Sequence, residues 1–255
     1  MTKLAALIFD VDGTLADTER DGHRVAFNQA FAEVGLDWDW SVPLYGELLA
    51  VTGGKERIRY YLERFNTAFQ GPADLDSFIA DLHRRKTVHY TRMLAEGAIP
   101  MRPGVERLLQ ESMAAGVRLA IATTTTPENV SALLRYSLAA DAESWFEVIA
   151  AGDIVPAKKP APDIYLWAMQ QMGLAPDACM AFEDSENGVR SVLDSGIRSL
   201  LVAINDYTRD QDFAGAGLVV DQFGEPDQPF RVLAGDPGDK QFVDLELVQN
   251  LHARS

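Results

Sequence analysis

Apolar residues recur along this chain with two different spacings, which divide the sequence into two regions. From about residue 17 to residue 101 they repeat every three to four positions, the spacing of one face of an α-helix. Three such faces consist of Phe27, Ala30, Phe31 and Val34, of Ile58, Tyr61, Leu62 and Phe65, and of Leu75, Phe78, Ile79 and Leu82. This region therefore predicts about four helices and no convincing strand.

After about residue 102, short apolar runs alternate with helical spacing. Strands are predicted at 117–122, 148–151, 179–183, 200–203 and 218–220, with helices at 105–115, 127–136, 162–172 and 185–195. Such alternation indicates a parallel sheet with helices on both faces. The apolar run 4–9 must join this sheet, because an isolated strand is not stable.

The predicted fold class is α/β, with a doubly wound, Rossmann-like parallel sheet and an all-helical cap domain inserted after its first strand. We predict a catalytic core from residues 1–16 and 102–220 and a helical cap from residues 17–101. The insertion starts at the carboxyl end of the first strand and is placed to act as a lid. Residues 221–255 are predicted to be an irregular, acidic extension with a helix at 244–252.

Composition and charge restrict the kinds of partner and the cellular location that we expect for this protein. The 255 residues carry a net charge of −15, which argues against nucleic acid as a partner. No apolar stretch approaches the roughly 20 residues of a membrane span, and the first residues lead into a strand rather than a signal peptide. The single cysteine allows no internal disulfide. We expect a monomer in the cytoplasm, or in the plastid stroma if the source is a plant, with the transit peptide absent here.

Two acids, Asp10 and Asp12, directly follow the first apolar run and precede Gly13 and Thr14, which suit a tight turn. The carboxyl ends of strands are where open α/β sheets bind their ligands. Two carboxylates this close repel each other unless a cation lies between them. The segment therefore predicts a metal site in which one acid can act as a nucleophile while the other donates and accepts protons.

Three later segments are predicted at the same edge of the sheet. They are a run of threonines that begins at Thr123, the proline-flanked pair Lys158 and Lys159, and a second acid pair, Glu183 and Asp184. Each segment alone has an ordinary explanation as a helix cap or a solvated loop. Together they supply hydroxyls, a lysine and further carboxylates around Asp10.

This combination suits phosphoryl transfer, which needs mainly positioning and the neutralisation of charge. Mg²⁺ prefers hard oxygen ligands; Asp10, the backbone carbonyl of Asp12 and Asp184 could supply them, and Glu183 could orient metal-bound water. Lys159 would offset the excess negative charge and hold the nucleophile. Thr123 would contact a phosphoryl oxygen.

The four motifs resemble those of haloacid-dehalogenase-type phosphatases, in the same order and over residues 3–220. The helical insertion is similar to that of the subgroup that includes β-phosphoglucomutase. The resemblance implies that Asp10 forms an aspartyl-phosphate and that Asp12 protonates the leaving oxygen and then activates water. It also implies that Thr123 and Lys159 stabilise the phosphoryl group. The Mg²⁺ ligands that it implies are Asp10, Asp12 and Asp184, supported by Glu183.

Substrate choice would depend on the inserted helices. Gly53 and Gly54 precede Lys55 and Arg57, so a helix start with free N–H groups would meet two cations, which favours an anion site. An anion site above a phosphate-handling core predicts a substrate with two phosphates. Lys86 fits a solvated helix face as well as a substrate contact.

Two further cap residues have two interpretations each. His23 fits either a partly buried structural position or a substrate contact. Glu19 could contact sugar hydroxyls or favour a helix N-terminus.

The segments 52–57 and 85–87, with Glu19, His23 and the threonine run, resemble CbbY-type proteins. These are xylulose-1,5-bisphosphate phosphatases, which clear a product that inhibits Rubisco. The resemblance implies an Mg²⁺-dependent sugar-bisphosphate phosphatase acting on a small phosphorylated sugar. The substrate-binding residues assigned on this basis are Glu19, His23, Gly53, Gly54, Lys55, Arg57, Lys86, Thr124 and Thr125. The stretch from Glu19 to His23 is one residue longer than the usual spacing to that histidine.

Two other functions remain open at this point. A sugar-phosphate mutase of the β-phosphoglucomutase type would use the same core, so the sequence does not separate it from a phosphatase. A phosphoacceptor signalling module also uses carboxylates at the switch point of a doubly wound sheet. Such a module needs neither Asp12 nor a long helical insertion.

Overall fold

A computed structural model describes residues 3–51 and 53–255 of the chain. Thr52, which begins the predicted cap segment 52–57, and the first two residues of the predicted core lie outside the described residues. The chain forms two compact units, Met1–Asp17 with Ile99–Ser255 and Thr18–Ala98. The predicted boundaries at 17 and 101 lie close to these limits.

Among the described residues, the strands lie in the first unit, and the regular elements of the second unit are helices. The strands are β1 (Ala6–Phe9), β2 (Arg118–Ala122), β3 (Val148–Ala150), β4 (Cys179–Glu183), β5 (Ser199–Ala203), β6 (Leu218–Val220) and β7 (Val232–Gly235). The helices are α1 (Arg24–Glu33), α2 (Val42–Leu48), α3 (Gly54–Arg64), α4 (Leu75–Ala95), α5 (Val105–Ala114), α6 (Pro127–Ser137), α7 (Asp163–Met172), α8 (Glu186–Asp194) and α9 (Leu245–Arg254). Among the described residues, none of these helices has the length and apolar character that crossing a membrane requires.

The strands form one sheet in the order β3-β2-β1-β4-β5-β6-β7. Neighbouring strands from β3 to β6 are parallel, and β7 runs antiparallel to β6 at the edge. Strands β1, β4 and β5 are buried along their whole length, which is why their sequences are apolar apart from Glu183 at the end of β4 and Ser199 at the start of β5. The predicted α/β class with a doubly wound parallel sheet is confirmed.

The side chains of the central strands alternate between the two faces of the sheet, which determines the face on which Asp10 and Glu183 lie. Ile8 of β1 and Ala181 of β4 belong to a buried cluster that also contains Tyr165 of α7. Because side chains alternate along a strand, Asp10 and Glu183 fall on this same face. The packing that buries the apolar residues therefore also removes these two acids from water.

The order of the strands reverses at β1, which lies between β2 and β4. A reversal of this kind opens a crevice at the carboxyl ends of the two central strands. Phe9 pairs with Phe182 in the register of β1 and β4, and their rings stack at a centroid distance of 4.4 Å. The residues that follow, Asp10 and Glu183, therefore lie side by side at this crevice.

The helical unit is built around aromatic side chains. Helix α1 packs against α4, and the rings of Phe27 and Phe31 lie 4.7 and 4.9 Å from the fully buried ring of Trp40. Phe65, which was assigned to an apolar helix face, is instead exposed because α3 ends one residue before it, at Arg64. The remaining aromatic core stabilises the unit through apolar burial and ring contacts.

Residues 221–255 are less irregular than the sequence predicts. Strand β7 extends the sheet beside β6, and α9, at the position of the predicted last helix, buries Leu247, Val248 and Leu251. Strand β7 was not predicted because its four residues form only a short apolar run between prolines and glycines, which indicate irregular structure.

Arg102 holds several loops of the first unit together. Its buried guanidinium donates hydrogen bonds to the carbonyl oxygens of Gly13, Ala203 (2.9 Å), Ile204 (2.6 Å) and Asp221 (2.7 Å). The Asp17 carboxylate lies 3.5 Å from its Nε. A buried cation is tolerated only when its donors are paired, so the loop after β1 is fixed to those after β5 and β6.

We expect Arg102→Met to lower the free energy of unfolding by about 3 kcal/mol, because several buried carbonyl oxygens lose their donor. Urea unfolding followed by circular dichroism measures this change. The control is Arg198→Met at an exposed position, which should change the free energy by less than about 0.5 kcal/mol. Equal values for the two variants would show that Arg102 does not hold these loops.

Candidate active site

The carboxyl edge of the sheet brings together the core residues singled out in the sequence. Asp10 follows β1, Thr123 follows β2, Lys159 lies in the loop before α7, and Glu183 ends β4 with Asp184 next to it. The backbone N–H groups of Asp10 and Thr123 donate to carbonyl oxygens of neighbouring strands at 3.0 and 2.9 Å. The sheet therefore fixes the main chain from which these side chains extend.

Asp10, Glu183 and Asp184 form a buried acidic cluster in which carboxylate oxygens lie within 4.8 Å of one another. Burial and the neighbouring negative charges raise the pKa of Asp184 well above its ordinary value, and burial also raises the pKa of Glu183. A cation among the three carboxylates would offset this cost. Because their oxygens are hard donors of the kind that Mg²⁺ prefers, the residues fit the predicted metal.

Lys159 is the cation of the site. Its Nζ lies 2.6 Å from Asp10 Oδ1 and 2.6 Å from Glu183 Oε1. Burial disfavours the charged ammonium, but the two carboxylates outweigh this effect and raise the pKa of Lys159 above its ordinary value. Lys159 therefore stays charged at neutral pH and offsets part of the negative charge around Asp10.

Glu183 is enclosed by partners that hold its carboxylate in place. The Tyr165 hydroxyl on α7 donates to Glu183 Oε1 at 2.6 Å. On α8, a Cβ added at Gly188 would overlap the Glu183 carboxylate, so only glycine lets the helix approach so closely. Glu183 is thus fixed by Lys159, Tyr165 and the backbone of α8.

Asp12 lies in a tight turn after β1. Gly13 has a φ of +86°, and an added Cβ there would overlap the side chain of Asp184, so this turn requires glycine. The Asp12 carboxylate accepts a hydrogen bond from the Thr125 hydroxyl. The structure thus places Asp12 beside the threonine loop, and Thr124 of that loop is exposed.

Two side chains of this site were not predicted. The Asn205 amide donates to Asp184 Oδ2 at 2.6 Å. Asn205 follows β5 by two residues, so the rule that functional residues lie at carboxyl ends of strands could have found it. Tyr165 lies on the buried face of α7, where an aromatic residue has the same sequence pattern as any core residue, so no signal marked it.

The helical unit holds its own buried polar cluster. Arg57 Nη1 donates to the Tyr45 hydroxyl at 2.7 Å, and that hydroxyl donates to Glu19 Oε2 at 2.6 Å. Arg57 is buried, and its Nε has no hydrogen-bond partner among the described residues. Tyr45 was not predicted, because α2 places it among apolar neighbours such as Leu48.

His23 and Lys86 form a second contact in the helical unit. Lys86 Nζ lies 2.7 Å from His23 Nδ1, and the His23 ring stacks on Tyr90 at 3.9 Å. Burial lowers the pKa of Lys86 to about 8, and desolvation lowers the pKa of His23 to about 3. His23 is therefore neutral at pH 7, and its Nδ1 can accept a hydrogen bond from the Lys86 ammonium.

The extra residue between Glu19 and His23 has a structural counterpart. Residues Thr18–His23 form a π-helical turn that leads into α1. The i→i+5 hydrogen bonds of a π-helix close a wider turn than those of an α-helix, so one additional residue fits. Glu19 still contacts Tyr45, and His23 still contacts Lys86.

The remaining predicted substrate residues lie at the start of α3. Gly53 has a φ of +98° and is exposed, as is Lys55. An added Cβ at Gly54 would overlap the His83 ring, which gives this glycine a packing role. The structure thus places Lys55 on the surface, whereas Arg57, two residues further and so on the opposite face of the same helix, is buried.

The fold and this arrangement of residues define a class of enzyme. Residues 4–196 match the haloacid dehalogenase-like hydrolases, and the chain belongs to this family. The prediction of a phosphatase of this family is confirmed by the family match and by its relatives.

Within this family, the chain is similar to particular proteins. The chain is 51% identical to Protein CbbY of Rhodobacter capsulatus over 214 residues, which are 84% of this chain and 91% of the relative. It is 47% identical to crystal structures of CbbY from Rhodobacter sphaeroides, with a TM-score of 0.70, covering 87% of this chain and 96% of that chain. One of these structures is a complex with phosphate, and another, of a mutant, is a complex with xylulose 1,5-bisphosphate.

A more distant structure has the same fold. A β-phosphoglucomutase-type protein from Thermotoga maritima is 27% identical, with a TM-score of 0.64, and the match covers 79% of this chain and 86% of that chain. The predicted resemblance to CbbY-type proteins in the β-phosphoglucomutase-like subgroup is therefore confirmed.

We expect Gly188→Ala to lower phosphatase activity roughly 10- to 100-fold while the protein stays folded. The new Cβ displaces the Glu183 carboxylate and weakens its contact with Lys159. Phosphate release measures activity, and circular dichroism measures folding. The control is Gly217→Ala, whose Cβ would lie 3.5 Å from Leu200 O. If both variants keep full activity, the position of Glu183 does not matter for the reaction.

Proposed function

We propose that this protein is an Mg²⁺-dependent phosphatase that hydrolyses a sugar bisphosphate, with xylulose 1,5-bisphosphate as the favoured substrate. The observation that carries the proposal is Lys159, which joins Asp10 to a buried cluster of further carboxylates. A buried carboxylate in contact with a cation is suited to attack phosphorus, because the cation also offsets the charge of the incoming phosphate.

The reaction proceeds in two steps that share Asp10 and Asp12. Asp10 attacks phosphorus, and the bond between phosphorus and the sugar oxygen breaks as Asp12 gives that oxygen its proton. Asp12 then removes a proton from water, whose oxygen attacks phosphorus and breaks the bond to Asp10. Inorganic phosphate leaves, and both acids return to their starting states.

The other site residues of the core unit position the reacting groups and neutralise their negative charge. Lys159 keeps Asp10 oriented and offsets charge on the transferring group, while Thr123 donates its hydroxyl to a phosphoryl oxygen. Asp10, Asp184 and the carbonyl of Asp12 would hold Mg²⁺, with Glu183 in support. When bound, Mg²⁺ neutralises negative charge on the phosphoryl oxygens.

The helical unit supports the choice of a bisphosphate. Arg57 is a buried cation whose Nε has no hydrogen-bond partner within residues 3–51 and 53–255, and Lys86 is a second buried cation. A second phosphate would supply acceptors for these donors. Glu19 would accept hydrogen bonds from sugar hydroxyls, and His23, Gly53, Gly54 and Lys55 would complete the contacts. The complex of Rhodobacter sphaeroides CbbY with xylulose 1,5-bisphosphate supports this substrate.

A sugar-phosphate mutase is the second candidate, because of the similarity to the Thermotoga maritima β-phosphoglucomutase-type structure. A mutase keeps the phosphoryl group and returns it to another hydroxyl. Incubation with β-glucose 1-phosphate and a bisphosphate activator separates the two functions. Glucose 6-phosphate formed without free phosphate would establish the mutase.

The first test is a phosphate-release panel of pentulose bisphosphates and hexose phosphates. We expect the highest activity on xylulose 1,5-bisphosphate, loss of activity with EDTA and its recovery with added Mg²⁺. Asp10→Asn should lower activity by roughly a thousandfold or more, because the nucleophile is lost. The control, Asp227→Asn at an exposed position, should keep full activity. Phosphate release by Asp10→Asn at the wild-type rate would contradict the mechanism.

The second test addresses the distal phosphate. We expect Arg57→Met to lower kcat/KM for the bisphosphate about 10- to 100-fold, the effect of losing a charge-assisted hydrogen bond. Its effect on 4-nitrophenyl phosphate, which has a single phosphate, should be less than about threefold. Arg59→Met, an exposed arginine on the same helix, is the matched control. Equal losses on both substrates would show that Arg57 does not bind the second phosphate.

A further inference from the structure

The threonine loop after β2 contains one residue that contacts Asp12. The Thr125 hydroxyl donates a hydrogen bond to Asp12 Oδ2. Thr124 and Thr126, on either side, are both exposed, whereas Thr125 is partly buried. The run of similar side chains thus contains one member that faces the acid.

The backbone around Asp12 is held tightly by hydrogen bonds of the turn. Leu15 N donates to Val11 O at 2.9 Å, and Gly13 N donates to Ala16 O at 2.7 Å. These hydrogen bonds fix the main chain of the turn. Backbone hydrogen bonds do not themselves set the rotation about the Cα–Cβ bond of Asp12. That rotation determines where the carboxyl group points.

Thr125 can fix that rotation because its own position is well defined. Its backbone N–H donates to the Thr123 hydroxyl at 3.3 Å, and the Thr123 N–H donates to Ala150 O of β3 at 2.9 Å. A chain of hydrogen bonds therefore runs from the sheet through Thr123 and Thr125 to the Asp12 carboxylate. All of these residues belong to the first unit.

We propose that Thr125 is a positioning residue that orients Asp12 for proton transfer to the leaving oxygen. The proposal rests on the proposed phosphatase function and deepens it, since Thr125 then acts through Asp12 rather than by holding substrate alone. The Thr125 hydroxyl donates its hydrogen bond to Oδ2, which constrains the direction in which the Asp12 carboxyl group points. Proton transfer requires this alignment, because a displacement of about 1 Å can cost roughly a hundredfold in rate.

Two kinds of leaving group distinguish this role from phosphate binding. A sugar alkoxide is a poor leaving group, so its departure depends on a proton from Asp12. The 4-nitrophenolate ion leaves without that proton. A defect in the orientation of Asp12 therefore slows the sugar phosphate far more than the aryl phosphate, whereas a defect in binding the transferred phosphoryl group slows both. A lost contact with a second phosphate would also spare the aryl phosphate, and the double-mutant cycle with Asp12 separates that case.

The experiment compares kcat/KM of Thr125→Val, Thr125→Ser and Thr126→Val. The substrates are 4-nitrophenyl phosphate and the phosphorylated sugar most active in the panel described above. Thr125→Val removes the donor with almost the same shape, and we expect a loss of roughly 10- to 100-fold on the sugar phosphate and less than about threefold on the aryl phosphate. Thr125→Ser keeps a hydroxyl and should recover most of the activity. Thr126→Val should match the wild type.

A double-mutant cycle with Asp12→Asn completes the test. If Thr125 acts through Asp12, Thr125→Val should add almost nothing in the Asp12→Asn background. A full additional loss in that background, or equal losses on both substrates, would overturn the proposal. A wild-type protein that releases phosphate from no substrate would instead overturn the proposed function, so the two failures are distinguishable.

Discussion

The contact of the Lys159 ammonium with two buried carboxylates is the interaction on which the site depends. Asp10, Glu183 and Asp184 share one buried space, where like charges repel strongly because little water screens them. Lys159 offsets part of that charge from 2.6 Å. Tyr165 and Asn205 each donate a hydrogen bond to one of the acids. The cluster is therefore stable only as a set, and a divalent cation would complete its neutralisation.

The sheet provides the rigidity that this cluster needs. The strand order reverses between β1 and β4, so Asp10 and Glu183 begin on adjacent, hydrogen-bonded strands. Arg102 then joins the loop after β1 to carbonyl oxygens after β5 and β6. Neither constraint involves the reacting groups directly. Together they hold in place the backbone from which the acids of the cluster extend.

The helical unit also contains buried polar groups that are paired with one another. Its core is aromatic, and two polar contacts lie within it, Arg57–Tyr45–Glu19 and Lys86–His23. Burying such groups is costly unless they are paired. Arg57 Nε is the exception among them, since it has no hydrogen-bond partner in the part of the chain that the structure describes. This buried donor, together with Lys86, is the basis for proposing a bisphosphate.

The sequence by itself determined the strand and helix pattern, the place of the insertion and the core residues from Asp10 to Asp184. Strands buried on both faces leave unbroken apolar runs, and the residues at their carboxyl ends meet at one edge wherever the sheet is parallel. Local patterns therefore sufficed for Asp10, Thr123, Lys159 and Glu183. Strand β7, a four-residue run between prolines and glycines, was missed because that setting indicates irregular structure.

Only the tertiary structure decided which side chains contact the acids and the cap cations. Tyr165 and Tyr45 look like ordinary core residues in the sequence, and nothing local distinguishes Thr125 from Thr124 or Thr126. Their hydrogen bonds join residues that are far apart in the chain, with Thr125 and Asp12 separated by 113 positions. Whether two such side chains meet depends on how whole helices and strands pack. The spacing of residues along the chain does not contain that information.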